Sequence, residues 1–138
     1  MPYDLERFIV AQDMSYDIAV RELKNGYKSS HWMWYIFPQF RGLGYSNRTE
    51  FYAIKSIEEA KAYLAHPILG ERLIACARLL LDIKNRSIGQ ILGYPDDLKL
   101  KSSMTLFDSV SDETIFNEVL ERYFNAERDS RTLEFIKA

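Results

Sequence analysis

Apolar residues recur at spacings of three and four along nearly the whole chain, and no window shows the sustained period of two that marks a half-buried strand. Leu5, Phe8 and Ile9 share one helical face behind a capping Asp4, which predicts a short helix ending near Gln12. Ile18, Ala19 and Leu23 predict a second helix from Ser15 to Asn25, closed by Gly26 in the left-handed conformation. His31–Phe37 is almost entirely large and apolar, so it predicts a short buried helix, with a buried strand as the alternative. It stops before Pro38, because proline pushes its predecessor out of helical geometry. Gly42-Leu43-Gly44 marks an irregular loop, and Ser46–Tyr52 adds a helical turn or two.

Ser56 and Glu59 match a capping box, in which each side chain satisfies a free backbone N–H at the other position; they predict a helix from Ser56 to Ala65. Pro67 suits the first turn of the next helix, whose stripe Leu69, Leu73, Ala77, Leu80 and Leu81 runs to about Lys84 and marks it as central. Ser87 and Gln90 repeat the capping pattern before Gly93-Tyr94-Pro95 breaks the chain. Asp96 opens a helix carrying Leu100, Met104, Phe107 and Val110 inward. Ser111 or Asp112 starts another helix, with Ile115, Phe116, Val119, Leu120 and Tyr123 inward, and Ser130–Ile136 is the last. The pattern predicts an all-α fold, one domain over residues 1–138, with about seven short helices in an irregular orthogonal bundle.

Composition narrows the function classes. Lys and Arg number 18 against 20 for Asp and Glu, a formal net charge of -2, so nothing draws the chain as a whole to nucleic acid or anionic lipid. No apolar run approaches the roughly 20 residues of a membrane span. The acidic and basic residues Asp4, Glu6 and Arg7 precede any long apolar stretch, so no signal peptide is expected. The single cysteine, Cys76, lies in the apolar stretch 73–83 as a core residue and forms no internal disulfide, which suits the cytoplasm. A monomer or weak homodimer is expected.

Phosphate loops, HExxH, CxxC pairs and GxSxG elbows are absent. His31, His66 and Cys76 are not spaced as ligands on one helix, so neither a metal nor another cofactor is expected. His66, ahead of Pro67, reads as a capping or surface residue. Two segments stand out. In His31-Trp32-Met33-Trp34-Tyr35 both tryptophans lie two residues apart; Trp32 is assigned to the core, and His31 and Trp34 to a pocket wall, where a histidine near aromatic rings qualifies as a general acid or base. In Asp96-Asp97-Leu98-Lys99-Leu100-Lys101-Ser102-Ser103, helical spacing sets Lys99, Ser102 and Ser103 side by side, an ammonium and two hydroxyls suited to an anionic or sugar-like ligand.

These same segments, from His31-Trp32-Met33-Trp34 through Phe37-Pro38-Gln39 and from Asp97-Leu98-Lys99-Leu100 through Ser102-Ser103-Met104-Thr105-Leu106-Phe107, resemble the bacterial and fungal family catalogued as domain of unknown function 1810. The resemblance extends to Asp4-Leu5-Glu6-Arg7-Phe8, to Tyr63-Leu64-Ala65-His66-Pro67 with Leu69-Gly70, and to Arg122-Tyr123-Phe124. It implies a small all-helical cytoplasmic domain without an established biochemical role.

Three function classes follow. The leading one is a small polar or nucleotide-like ligand bound between residues 31–40 and 96–107, with Trp34 stacking and His31, Gln39, Lys99, Ser102 and Ser103 making polar contacts. The second is a hydrolase of a glycosidic bond in a nucleotide-like compound, with His31 and Asp97, or Glu59 in its place, as catalytic residues. The third is an adaptor that buries the Trp34 surface against a protein partner.

Overall fold

The computed structural model describes residues 3–137. Among them are nine helices: α1 (Glu6–Asn25), α2 (Met33–Ile36), α3 (Asn47–Tyr52), α4 (Ile57–Ala65), α5 (Leu69–Asp82), α6 (Ile88–Leu92), α7 (Asp96–Ser109), α8 (Ile115–Phe124) and α9 (Ser130–Lys137). Strand pairing among the described residues is confined to one isolated bridge, between Phe40 and Ile54. The fold is all-α, as the periodicity predicts, with two more helices than the seven expected.

One of the predicted boundaries is absent. The chain does not break after Gln12; α1 runs unbroken through it. Gln12 is polar but lies on the inward face with Phe8, Ala19 and Leu23, where its amide donates to the Tyr35 carbonyl (2.7 Å) and the Tyr63 hydroxyl (3.0 Å). A buried, satisfied glutamine thus interrupts the apolar pattern without interrupting the helix. Ile18, expected inward, is exposed, and Asp4 does not cap the helix, whose first turn follows Leu5. Gly26 closes α1 at φ 73°, and the Tyr27 N–H returns to the Glu22 carbonyl (3.1 Å), a left-handed closure that glycine adopts without steric cost.

The caps divide in an instructive way. Ser87 and Gln90 form the full reciprocal box at α6. At α4 only half of it exists: the Ser56 hydroxyl accepts the Glu59 N–H (3.0 Å), but the Glu59 carboxylate turns to the Lys55 N–H (2.7 Å) and to Arg7 (2.9 Å). A buried ion pair has displaced the local partner. His66 caps α5 through Nδ1, which accepts the N–H groups of Ile68 (3.1 Å) and Leu69 (3.3 Å). Directly behind it, a Cβ on Gly70 would lie 2.0 Å from the Leu64 carbonyl oxygen, so the α4–α5 junction closes only around glycine.

The buried side chains form one continuous apolar cluster. Helix α5 packs against α1, α4 and α8 in its middle. The innermost helix is nevertheless α7, which buries an unbroken run from Ser102 to Phe107. Two of its three buried hydroxyls are satisfied by backbone: Ser102 by the Leu98 carbonyl (3.2 Å) and Thr105 by that of Lys101 (2.8 Å). No helix among the described residues is long and apolar enough to cross a membrane.

Candidate functional site

The aromatic segment is placed by a carboxylate. After Gly26 turns the chain, Glu22 accepts five hydrogen bonds: from the N–H groups of Ser29 (2.9 Å) and Ser30 (3.0 Å), from their hydroxyls (3.1 and 2.5 Å), and from Trp32 Nε1 (2.9 Å). Burial pushes the Glu22 carboxyl up, but the donors from Ser30, Trp32 and Ser29 outweigh it and hold the group at about 2. Trp32 is thereby drawn fully into the core. Two residues on, along α2, Trp34 is only half-buried.

Two cations flank Trp34. The Lys99 ammonium lies 5.2 Å from the center of its ring system and the Arg48 guanidinium 5.1 Å. Each contact is worth about 0.5–1 kcal/mol where water reaches it, more where it does not. Lys99 is oriented by Asp96, at the start of α7, whose carboxylate lies 3.6 Å from Lys99 and 2.8 Å from Lys28. One carboxylate therefore serves two ammonium groups. Arg48, on α3, has neither a carboxylate partner nor a side-chain hydrogen bond among the described residues.

Beside this rim opens a cleft of about 390 Å³, lined by Gln39, Leu43, Gly44 and Thr49 on one side, Pro95, Leu98, Lys99, Lys101 and Ser102 on α7 and its approach, and Asp129 and Arg131 at α9. The loop carrying Gln39 is pinned by the Phe40–Ile54 bridge: the Ile54 N–H donates to the Gln39 carbonyl (2.8 Å) and the Arg41 N–H to the Ile54 carbonyl (2.9 Å). Three cations and one carboxylate line the cleft, in a chain whose net charge is -2. One oxygen of that carboxylate, Asp129 Oδ2, accepts the Thr132 N–H (2.9 Å) and hydroxyl (2.6 Å). Lys101 pairs with Glu127, whereas Arg131 donates to the Gly42 carbonyl at 3.4 Å and lies over the Phe135 ring.

Of the residues singled out from sequence, Gln39, Lys99 and Ser102 share the cleft, and Trp34 meets it through the Lys99 ammonium. Ser103 does not reach it: one turn from Leu100 and Phe107, it is fully buried with its hydroxyl unpartnered. The indole N–H of Trp34 is likewise buried without a partner. His31 is exposed and lines a separate hollow of about 250 Å³ with Ser15, Tyr35, Arg48 and Tyr52. Asp97 accepts the neighbouring Leu98 N–H (2.8 Å) and lines neither depression. Glu59 is buried against Arg7. The imidazole and the carboxylates proposed to work with it thus occupy different places.

Sequence reasoning passed over Arg48, Lys101 and Arg131, and took Asp96 for a helix cap alone. Arg48 and Arg131 lie on α3 and α9, whose patterns say nothing about charge placement; a surplus of cations over carboxylates appears only once these segments meet. Among the described residues no three His, Cys, Asp or Glu side chains stand together as a metal site.

The family described as "Protein of unknown function (DUF1810)" matches residues 2–136. The crystal structure of the conserved hypothetical protein Rv1873 from Mycobacterium tuberculosis is similar to this one, with a TM-score of 0.98 and 47% sequence identity, covering 100% of this chain and 99% of that one. No curated protein matches.

Proposed function

This chain belongs to the DUF1810 family, and from that premise we propose that it is a cytoplasmic binding domain for a small anionic, nucleotide-like ligand, held in the cleft between the 31–40 segment and α7. Family membership assigns no chemistry, so the reading rests on one observation. Lys99, Lys101 and Arg131 converge on a cleft whose single lining carboxylate among the described residues is Asp129; Lys99 and Lys101 hold Asp96 and Glu127 outside the lining, and Arg131 has no carboxylate partner there. Three cations lining one cleft favour an anionic occupant, even with carboxylates of Asp96 and Glu127 beside two of them. Gln39 and Ser102 add polar groups for orientation, and the volume of about 390 Å³ lies in the range of small-molecule sites.

The cytoplasmic assignment draws on Cys76, a buried free thiol that burial pushes up to about 12, which keeps it protonated and inert. In this reading the chain works as a monomer or weak homodimer without nucleic acid.

Isothermal titration calorimetry with adenosine 5′-monophosphate, ribose 5-phosphate and inorganic phosphate tests the reading. Saturable binding of at least one is expected, weakened about tenfold by Lys99→Ala and by Arg131→Ala, an effect of about 1.4 kcal/mol each. Silence across all three ligands overturns it.

A further inference from the structure

Resting on the reading above, we propose that the bound ligand carries two separated anionic groups, one seated on Lys99 in the cleft and the other on Arg48 in the His31 hollow, with the Trp34 indole between them.

The two depressions share this tryptophan through their cations. Lys99 lines the cleft and Arg48 lines the hollow, yet both approach the same indole, at 5.2 and 5.1 Å. These two distances to one ring cap the separation of the charges at about 10 Å, within the span of a single small molecule. The depressions also adjoin along α3, where Arg48 faces one and the next residue, Thr49, lines the other.

The hollow has the chemistry of an anion seat. Its volume of about 250 Å³ suits one phosphate-sized group with part of its scaffold, and no carboxylate lines it. Besides Arg48 it presents the His31 imidazole and the hydroxyls of Ser15 and Tyr35, which bond to each other at 2.9 Å. The Arg48 guanidinium spends none of its five donors on a side-chain or backbone acceptor among the described residues. A planar fork with free donors recognises phosphate in two-point fashion, which an ammonium cannot do. The ligand class is therefore a nucleoside bisphosphate or a compound with the same spacing of charge.

The test compares adenosine 3′,5′-bisphosphate with adenosine 5′-monophosphate by titration calorimetry, on the full chain and on Arg48→Ala, Arg48→Lys and Lys99→Ala, with thermal melting of each variant. The bisphosphate is expected to bind at least tenfold more tightly. Arg48→Ala removes that advantage while leaving the monophosphate within about twofold, Arg48→Lys retains part of it, and Lys99→Ala weakens both compounds. Equal affinity for the two compounds overturns the two-anion inference and leaves the cleft reading standing. So does an Arg48→Ala variant that melts lower but keeps the full bisphosphate advantage, since Arg48 is then only a clamp on Trp34. Absence of binding by either compound, together with silence toward the simpler phosphates, ends both.

Discussion

Trp32 and Trp34 stand two residues apart in one aromatic segment and lead opposite lives. Trp32 is fully buried, and its indole N–H is one of five donors on Glu22. Trp34 is half-buried, its N–H has no partner, and its ring is attended by Lys99 and Arg48, cations of which one shares its carboxylate and the other has none. A polar group with all its bonds made belongs to the scaffold. At Trp34 the polar groups are not all paired, and it is beside this residue that the proposed ligand site lies.

The sharpest attack on the scaffold half of this contrast is Glu22→Ala, which strands five donors and should cost about 3 kcal/mol or more, read from the urea midpoint. A midpoint unchanged from the parent chain would break the comparison at its root. The same carboxylate makes a pH prediction. Its folded value of about 2 lies below the ordinary 4.5, so its contribution is complete above pH 4.5 and is lost as pH falls from there toward 2. The loss is about 3 kcal/mol, and Glu22→Gln should flatten that part of the stability–pH curve.

Next in size is the paired substitution Trp32→Phe and Trp34→Phe. The first deletes one charge-assisted bond and should cost about 2 kcal/mol; the second deletes an unsatisfied donor and should leave stability within about 0.5 kcal/mol. Equal melting temperatures for the two variants would erase the distinction between them. Lys99→Ala reverses the pattern, lowering affinity for adenosine 5′-monophosphate about tenfold with a stability change of about 1 kcal/mol, from a partly exposed ion pair and one cation–π contact. The smallest effect belongs to Ser103→Ala, which removes a buried, unpartnered hydroxyl and should hold or raise the melting temperature, by no more than about 1 kcal/mol in stability. A clear loss there would reveal a partner for Ser103 that the contrast omits.

Much of the fold is legible in the residues themselves. Ser87 and Gln90 announce α6 and Gly26 ends α1, each through interactions within a turn or two. The errors have one source. Gln12 looks like a break because its partners, Tyr35 and Tyr63, lie far along the chain; Glu59 looks like half a box because Arg7 is out of sight. The candidate cleft was legible in part, since Gln39, Lys99 and Ser102 line it together and Lys99 reaches Trp34. Ser103 was misjudged because helical spacing sets neighbours without saying which of them faces the core.

Local chemistry written in the chain is enough to specify helices, their stops and the identity of the family, because capping, periodicity and backbone preference act over a few residues. Which tryptophan becomes core, which cation keeps a partner and where a cleft opens depend on contacts between segments remote in sequence. Burial and charge pairing are sums over whatever the folded chain brings close, so assembly alone separated Trp32 from Trp34.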